Sequence, residues 1–211
     1  MASQSTEKIA IIGAGVAGLS TARQLIAEGF DCILFERNSE VGGVWSDGYL
    51  NFGVQVQREL YEFPDWPLPK GTPNFTPGPI IQEYLQAYAD HFDISPRIRF
   101  NTRVTRLAEA EASQGRWEVT METNGRVDLE TFDRVVICIG LYSNLPNMPE
   151  FPDRAEFQGE VMHNSRLKSA NQLKDRRVAV IGYGKSASDA ALEAAANALE
   201  THIVFREPHW P

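Results

Sequence analysis

A glycine-rich turn near residue 13 constrains the fold more than any other feature of this sequence. Gly13-Ala-Gly-Val-Ala-Gly18 follows a short β-branched run, 8–12, which predicts a buried parallel strand. Apolar residues then recur at helical spacing over 17–28, Gly29 ends that helix, and 31–36 predicts a second buried strand. Parallel strands joined by a helix indicate an α/β fold.

This first loop has the G-x-G-x-x-G spacing, and each glycine has a separate steric role. Gly13 turns the chain out of the strand, Gly15 lets a pyrophosphate approach the backbone, and Gly18 lets the helix pack on the strand. The N–H groups at the helix start favour phosphate. Glu36 ends the second strand, where a carboxylate accepts hydrogen bonds from an adenosine ribose. The pattern predicts a dinucleotide site; the alternative is a turn that only packs helix on strand.

A second strand–turn–helix pattern begins at residue 177. The run 177–181 predicts a strand, an alanine-rich helix extends to about Leu199, and 201–205 predicts the next strand. The turn carries Gly182, Gly184 and Ala187 at the three positions of the motif. Two strands and one helix bury too little surface for a whole domain, so we expect a unit that is truncated or completed by another chain.

The second loop differs from the first in its charges. Lys185 and Ser186 add a cation and a hydroxyl, and Arg206 stands where the first unit has a carboxylate. A guanidinium pairs with a 2′-phosphate that a carboxylate repels, so the second site is predicted to bind NADPH rather than NADH. Glu207 leaves open that Arg206 is neutralised locally or is only a solvated strand-end residue.

The middle of the chain predicts an antiparallel ribbon and a linker. Residues 116–131 alternate in polarity, and Asn124-Gly125 is a strong signal for a type I′ hairpin turn. The apolar run 134–139 predicts a strand that ends at Gly140. We therefore expect two Rossmann-like units with a small antiparallel ribbon: a first domain over 1–145, a linker over 146–176 and the incomplete second domain over 177–211.

A proline- and aromatic-rich segment precedes a predicted helix over 79–92. Six of the twelve prolines fall between residues 64 and 79, which excludes a continuous helix there. Such a segment either covers a site or is an ordinary packed surface loop.

The composition of the chain argues against several classes of partner and ligand. The chain has 28 Asp+Glu against 20 Lys+Arg, and this acidic balance argues against nucleic acid. No apolar run approaches the roughly 18 residues of a membrane span, no signal peptide is evident, and a cytoplasmic location is the default. Cys32 and Cys138 lie in apolar runs and are interpreted as buried thiols. The four histidines lack metal-ligand spacing, so no metal is expected.

Two dinucleotide loops in one chain indicate two nucleotides, and the usual chemical reason is hydride transfer from a nicotinamide to a flavin. The run Gly42-Gly43-Val44-Trp45 follows Glu36 closely and lets backbone approach the flavin end of an extended FAD, which assigns FAD to the first loop. Arg37 is placed to cover the adenosine or the pyrophosphate.

The chain resembles the flavin-containing monooxygenases over essentially its whole length, from about residue 8 to 211. Both loops carry the resemblance, and Gly42-Gly43-Val44-Trp45 looks like the family's G-G-x-W. Glu59–Pro67 and the stretch 84–104 are also similar. Phe157, Gly159 and His163 match the family's fingerprint F-x-G-x-x-x-H, which together with both loops is specific.

The resemblance implies an FAD- and NADPH-dependent monooxygenase acting on a small-molecule substrate. Such an enzyme inserts one oxygen atom of O2 into an amine nitrogen or a sulfide sulfur through a C4a-(hydro)peroxyflavin. A Baeyer–Villiger monooxygenase of the same architecture and an inactive nucleotide-binding fragment remain alternatives. An incomplete sheet exposes edge strands and favours a homo-oligomer.

The resemblance also implies site residues. Gln55 is the candidate catalytic residue, because its carboxamide stands where the family commonly has an asparagine near the flavin; the alternative is a polar residue on a strand. His163 is interpreted as a hinge or nicotinamide-side element, or else as a plain linker histidine. The implied cofactor contacts beyond Glu36 and the loop glycines are Arg37, Gly43, Trp45, Val104, Gly140, Lys185, Ser186, Ala187 and Arg206.

Besides Gln55 in place of the family's asparagine, two further departures from the family pattern stand out. Leu167 replaces the aromatic residue that closes the fingerprint, which counts mildly against the Baeyer–Villiger reading. Cys138-Ile139-Gly140 replaces the common Ala-Thr-Gly at the end of the strand before the linker.

Overall fold

A computed structural model describes residues 6–110, 115–142 and 146–207. Contacts divide the chain into two compact units. The first takes in the described residues up to Asp47, Glu59–Thr72 and Pro79–Tyr142, and the second takes in Gly48–Arg58, Pro73–Gly78 and the described residues from 146 onward. Two short segments of the predicted first domain thus group with the second unit, and the predicted boundary at 145 lies outside the described residues.

The first unit begins with the strand–helix–strand pattern that the sequence predicts. Strand β1 spans Lys8–Ile12, helix α1 Val16–Ala27 and strand β2 Asp31–Phe35. The elements that follow are α2 Gly78–His91, β3 Ile98–Arg99, β4 Thr102–Glu109, β5 Trp117–Thr123, β6 Arg126–Phe132 and β7 Arg134–Ile137. The α/β class is confirmed, because four strands form a parallel sheet in the order β3-β2-β1-β7.

Strand β1 lies inside this sheet, and its side chains form the core. Ala10 and Ile11 have no exposed surface. One face of the sheet packs against the antiparallel strands through a cluster of apolar side chains, which comprises Ala10, Ile12, Phe35, Val119, Met121 and Phe132. The rings of Phe35 and Phe132 meet edge to face at 5.7 Å. The antiparallel strands therefore belong to the first unit's core.

The predicted hairpin is confirmed, but its sheet has three strands rather than two. Strands β4, β5 and β6 pair antiparallel in that order. Asn124 and Gly125 have φ of 52° and 80°, as a type I′ turn requires. Strand β4 was not predicted, because a bulge between Val104 and Arg106 breaks the alternation of its side chains.

The strand predicted over 134–139 is shorter in the structure and partly exposed. Strand β7 ends at Ile137, and Ile137 and Ile139 are 61% and 67% exposed. The reason is that β7 is an edge strand of the described sheet, with β1 as its one neighbour. Cys138 is accordingly half-buried rather than buried, whereas Cys32 is buried as predicted; both are free thiols.

The proline-rich segment contains no continuous helix, as predicted, and it packs on α2. The backbone N–H of Phe63 donates to the Tyr84 hydroxyl at 2.8 Å, and that hydroxyl donates to the carbonyl of Trp66. The Phe63 ring lies 4.1 Å from the Tyr88 ring. These contacts support the packed-loop interpretation for this part of the segment.

The second unit repeats the strand–turn–helix pattern on a smaller scale. Strand β8 spans Arg177–Ile181, helix α3 Lys185–Asn197 and strand β9 Glu200–Val204. The two strands pair in parallel. Helix α3 covers one side through a small apolar cluster of Leu167, Leu173, Ala190 and Ala194. Ile181 and Val204 remain 60% and 51% exposed.

Candidate functional site

The three glycines of the first loop have distinct surroundings. Gly13 has φ of +104°, and a Cβ there would lie 2.5 Å from the carbonyl oxygen of Cys138. A Cβ at Gly18 would lie 1.9 Å from the carbonyl oxygen of Gly13, so this position accommodates the backbone of its own loop. Gly15 is the N-cap of α1, and a Cβ there would make only ordinary contacts, the nearest at 3.7 Å from the Cα of Gly43.

The segment Gly42–Trp45 lies against this loop. The N–H of Gly42 donates to the carbonyl of Ala14 at 3.0 Å. Gly42 and Gly43 have φ of +126° and +59°, which favour glycine. Gly15 and Gly43 therefore face each other, and the three atoms nearest to a Cβ built on Gly15 are backbone atoms of Gly42 and Gly43. Trp45 is half-buried and packs edge-on against Tyr61.

Glu36 is a buried carboxylate that holds the loop. It is 5% exposed, and its Oε2 accepts a hydrogen bond from the N–H of Ala14 at 2.8 Å. Its Oε1 accepts from the N–H of Asn38 at 2.9 Å. Each carboxylate oxygen has a second lone pair, so both bonds are compatible with ribose hydroxyls as further donors. The sequence predicted the ribose role and missed this loop-ordering role. Arg37 next to it is exposed.

The second loop repeats the first two glycine positions and has alanine at the third. Gly182 has φ of +130°, and its N–H donates to the carbonyl of Val204 at 2.9 Å. Gly184 is the N-cap of α3, and nothing lies within 4 Å of a Cβ built on it. Ala187 faces Gly182 in ordinary contact. Both loops therefore present bare backbone at a helix start, where N–H groups receive anions.

One of the two predicted cations of the second loop is already paired with a carboxylate. Lys185 forms an ion pair with Asp189, one turn along α3. Arg206 lies two residues beyond β9 and is exposed, at the strand end where the sequence predicted it. The guanidinium of Arg206 is thus exposed, whereas the ammonium of Lys185 is paired with a carboxylate of the same helix.

Sequence reasoning missed Tyr49. Its hydroxyl donates to Oδ2 of Asp189 at 2.8 Å, across 140 residues of chain. Burial, with the neighbouring Asp189 carboxylate, raises the pKa of Tyr49 to about 12. A tyrosine in an irregular segment gives no local signal of such a long-range contact.

The fingerprint residues lie in the second unit. The Phe157 ring covers Gly159, where a Cβ would lie 2.4 Å from ring atom Cζ. His163 is exposed, and its Nδ1 accepts from the N–H of Ser165 at 3.2 Å, capping a short 3₁₀ helix. Asn164 donates through Nδ2 to the carbonyl of Ser186 at 3.1 Å. The fingerprint segment therefore contacts the second loop through Asn164, while His163 has a local capping role.

The other predicted residues are dispersed. Gln55 is exposed in the segment 48–58, whose Val54 N–H donates to the carbonyl of Thr76 at 3.0 Å. Val104 is half-buried and packs on the core of the first unit. Gly140 is exposed with φ of +77°, just past the Cys138 carbonyl that approaches Gly13. The structure thus gathers Gly13, Gly15, Gly18, Glu36 and Gly43 into one place, and gives Val104 a packing role.

Within residues 6–110, 115–142 and 146–207, no group of three or more His, Cys, Asp or Glu side chains is arranged to hold a metal ion. Among the helices of that same part of the chain, none is long and apolar enough to cross a bilayer.

Comparisons with known proteins agree with this geometry. Residues 6–211 match the family model described as flavin-binding monooxygenase-like. The rabbit (Oryctolagus cuniculus) dimethylaniline monooxygenase [N-oxide-forming] 2 is 34% identical over 218 residues, which cover 97% of this chain and 41% of that protein. The chain therefore spans about two fifths of the length of this relative.

Solved structures share the fold. The S-allyl-L-cysteine S-oxygenase from Allium sativum matches with a TM-score of 0.85 and 29% identity, over 98% of this chain and 52% of that one. A structure titled OTEMO complex with FAD and NADP matches with a TM-score of 0.80 and 27% identity, over 97% and 40%. With its two strand–turn–helix units and a family match across nearly all of its residues, the chain belongs to the flavin-binding monooxygenase-like family.

Proposed function

We propose that this chain contributes the nucleotide-binding part of an FAD- and NADPH-dependent monooxygenase that inserts one oxygen atom of O2 into an amine nitrogen or a sulfide sulfur. The observation that carries the proposal is the pair of loops, each with bare backbone at a helix start, of which the first is ordered by the buried carboxylate of Glu36. Two such loops in one family member fit two dinucleotides.

The residues of the first loop fit FAD. The N–H groups at the start of α1 are aimed at a pyrophosphate, and Gly15 opposite Gly43 leaves room for it to approach. The carboxylate of Glu36 receives the ribose hydroxyls, and Arg37 covers the adenosine side. Trp45 and Gly140 border the same loop region in this assignment.

The second loop fits NADPH. Gly184 and Ser186 receive the pyrophosphate at the start of α3, and Lys185 contributes positive charge from its place beside Asp189. The exposed guanidinium of Arg206 pairs with the 2′-phosphate. A carboxylate at the equivalent place, as in the first loop, repels that phosphate, which gives the two sites different nucleotide preferences.

The first loop and Glu36 would hold a flavin, which when bound would supply the redox chemistry between NADPH and O2. The chain's own residues bind and orient the two nucleotides and exclude water. Gln55 is the side chain that we assign to the reacting region, where its carboxamide both donates and accepts hydrogen bonds.

The relatives support the substrate class. The rabbit protein is named N-oxide-forming and the Allium protein an S-oxygenase, which together point to soft nucleophiles. Both cysteines of the chain are free thiols, which supports a reducing, cytoplasmic location. The exposed apolar residues of β8 and β9 support association of copies.

A product assay tests this function. The purified protein is supplied with FAD, NADPH, O2 and, in separate reactions, a thioether, a tertiary amine and a cyclic ketone; omission of FAD is the control. We expect sulfoxide or N-oxide in amounts that match the NADPH consumed. Lactone as the main product would instead assign a Baeyer–Villiger activity, and NADPH consumption that yields only hydrogen peroxide would contradict oxygen transfer.

A further inference from the structure

The segment Gly48–Arg58 is fastened to helix α3 by two side chains. The hydroxyl of Tyr49 donates to Asp189 at 2.8 Å, and the amide of Asn51 donates to Oε1 of Glu193 at 2.7 Å. Asp189 and Glu193 are four residues apart, so they lie on one face of the helix. The segment therefore runs along α3 with a contact at each turn.

The same segment is held from the fingerprint side. The N–H of Leu50 donates to the carbonyl of Leu167 at 2.7 Å, and Lys168 donates through Nζ to the carbonyl of Gly48 at 2.8 Å. The Leu50 side chain packs against the apolar cluster that contains Leu167 and Ala190. Backbone, charged and apolar contacts thus dock the segment on the second unit.

The contact between Tyr49 and Asp189 lies beside the second glycine loop. Asp189 accepts from Tyr49 and pairs with Lys185 at once. Ser186, next to Lys185, accepts from Nδ2 of Asn164 through its carbonyl at 3.1 Å. The loop residues assigned to the dinucleotide phosphates therefore have the docked segment as their neighbour.

We propose that Tyr49 is a positioning residue that couples occupation of the second glycine loop by an anionic dinucleotide to docking of the segment 48–58. With Tyr49 in place, Asp189 is shared between a hydroxyl and an ammonium, and Lys185 is held in one arrangement beside the loop. Because coupling between two sites is reciprocal, a dinucleotide that favours this arrangement also favours the docked segment. Gln55 lies on that segment, so its placement follows the second loop.

This inference rests on the proposed function for the identity of the dinucleotide, and its test separates the two. The probe is NADP⁺, measured by calorimetry for affinity and by amide hydrogen exchange for protection of peptides within 48–58. The variants are Tyr49→Phe, which removes only the hydroxyl, and Asn51→Asp, which places a second carboxylate opposite Glu193 without touching the loop. Tyr88→Phe is the matched control, because its hydroxyl also faces a carboxylate, that of Asp65, but in the first unit.

In the unmodified protein and in Tyr88→Phe we expect NADP⁺ to slow exchange in 48–58. Tyr49→Phe and Asn51→Asp are expected to exchange faster in this segment without ligand and to bind NADP⁺ about tenfold more weakly, the order of one charge-assisted hydrogen bond. FAD affinity stays unchanged in both. Weaker binding in Asn51→Asp is the sharpest result, since Asn51 contacts no loop residue among its described hydrogen bonds.

Two results would overturn the proposal, and they are distinguishable. If NADP⁺ binds the unmodified protein, and Tyr49→Phe and Asn51→Asp match it in affinity and in exchange, the coupling is refuted while the proposed function stands. If the unmodified protein shows no affinity for NADP⁺, the proposed function fails together with the coupling. Faster exchange in the ligand-free variants would then show only that Tyr49 and Asn51 hold the segment 48–58 on α3.

Discussion

Replacing Gly15 by alanine separates nucleotide binding from folding. Gly15 has φ of −82° and ψ of −170°, which alanine adopts freely, and the new Cβ would lie 3.7 Å from the Cα of Gly43. Alanine is a poorer N-cap than glycine by up to about 1 kcal/mol, and the stiffer unfolded chain offsets about 0.4–1 kcal/mol. The free energy of unfolding is therefore expected to change by less than about 1 kcal/mol.

The same methyl group occupies the space through which a pyrophosphate approaches the start of α1. Displacing the phosphates from two backbone N–H groups loses about 1.5–3 kcal/mol for each charged hydrogen bond. We expect FAD affinity to fall roughly 10²–10⁴-fold. Gly18→Ala is the contrasting variant, because its Cβ would lie 1.9 Å from the carbonyl oxygen of Gly13 and must displace backbone. That overpacking costs about 3 kcal/mol or more.

The assay measures FAD affinity by quenching of flavin fluorescence and stability by urea unfolding of each variant without nucleotide. Gly15→Ala is expected to unfold like the unmodified protein and to bind FAD poorly. Gly18→Ala is expected to be clearly less stable. Full FAD affinity in Gly15→Ala would refute the claim that Gly15 leaves room for the pyrophosphate. A loss of stability in Gly15→Ala as large as in Gly18→Ala would refute the claim that Gly15 is not needed for folding.

Three further predictions concern single charges. Glu36→Gln turns an amide nitrogen toward one of the two backbone N–H groups that Glu36 now accepts, so the free energy of unfolding should fall by about 1–3 kcal/mol in urea titrations; an unchanged value would deny the loop-ordering role. Arg206→Ala should raise KM for NADPH about tenfold and leave KM for NADH unchanged, and equal effects on both would remove the 2′-phosphate assignment. A hydrogen bond from Arg99, with further help from Lys8, holds the pKa of Glu130 below its usual range. Its stabilising contribution is therefore present above the unfolded-state pKa of about 4.3 and is lost as pH falls through the folded value. Glu130→Gln should lower Tm at neutral pH and converge with the unmodified protein in acid; a constant Tm difference would contradict this sign.

Local signals account for what could be predicted from the sequence. The β-branched run of β1, the glycine positions and the Asn124-Gly125 turn each act over a few residues, and the structure has the strand, the loops and the hairpin where they indicate. Gly13 and Gly182 have positive φ, which glycine adopts most easily. The position of each turn could therefore be predicted from the glycine alone.

Long-range contacts account for what could not. Strand β4 is held by pairing with β5, and its bulge hides the alternation. Cys138 lies in an apolar run but directly follows the edge strand β7, so the apolar composition of the run overestimated the burial of its side chain. The docking of Tyr49 on Asp189 joins residues 140 positions apart, and nothing near Tyr49 in the sequence marks it.

We propose that this chain holds a flavin on its first loop and a nicotinamide nucleotide on its second. An anaerobic titration tests it most directly: the purified protein is loaded with FAD, its visible spectrum is recorded, and NADPH is added without oxygen. We expect a yellow protein whose flavin absorbance bleaches on addition of NADPH. A protein that takes up no FAD, or one whose bound flavin stays oxidised in excess NADPH, would contradict it.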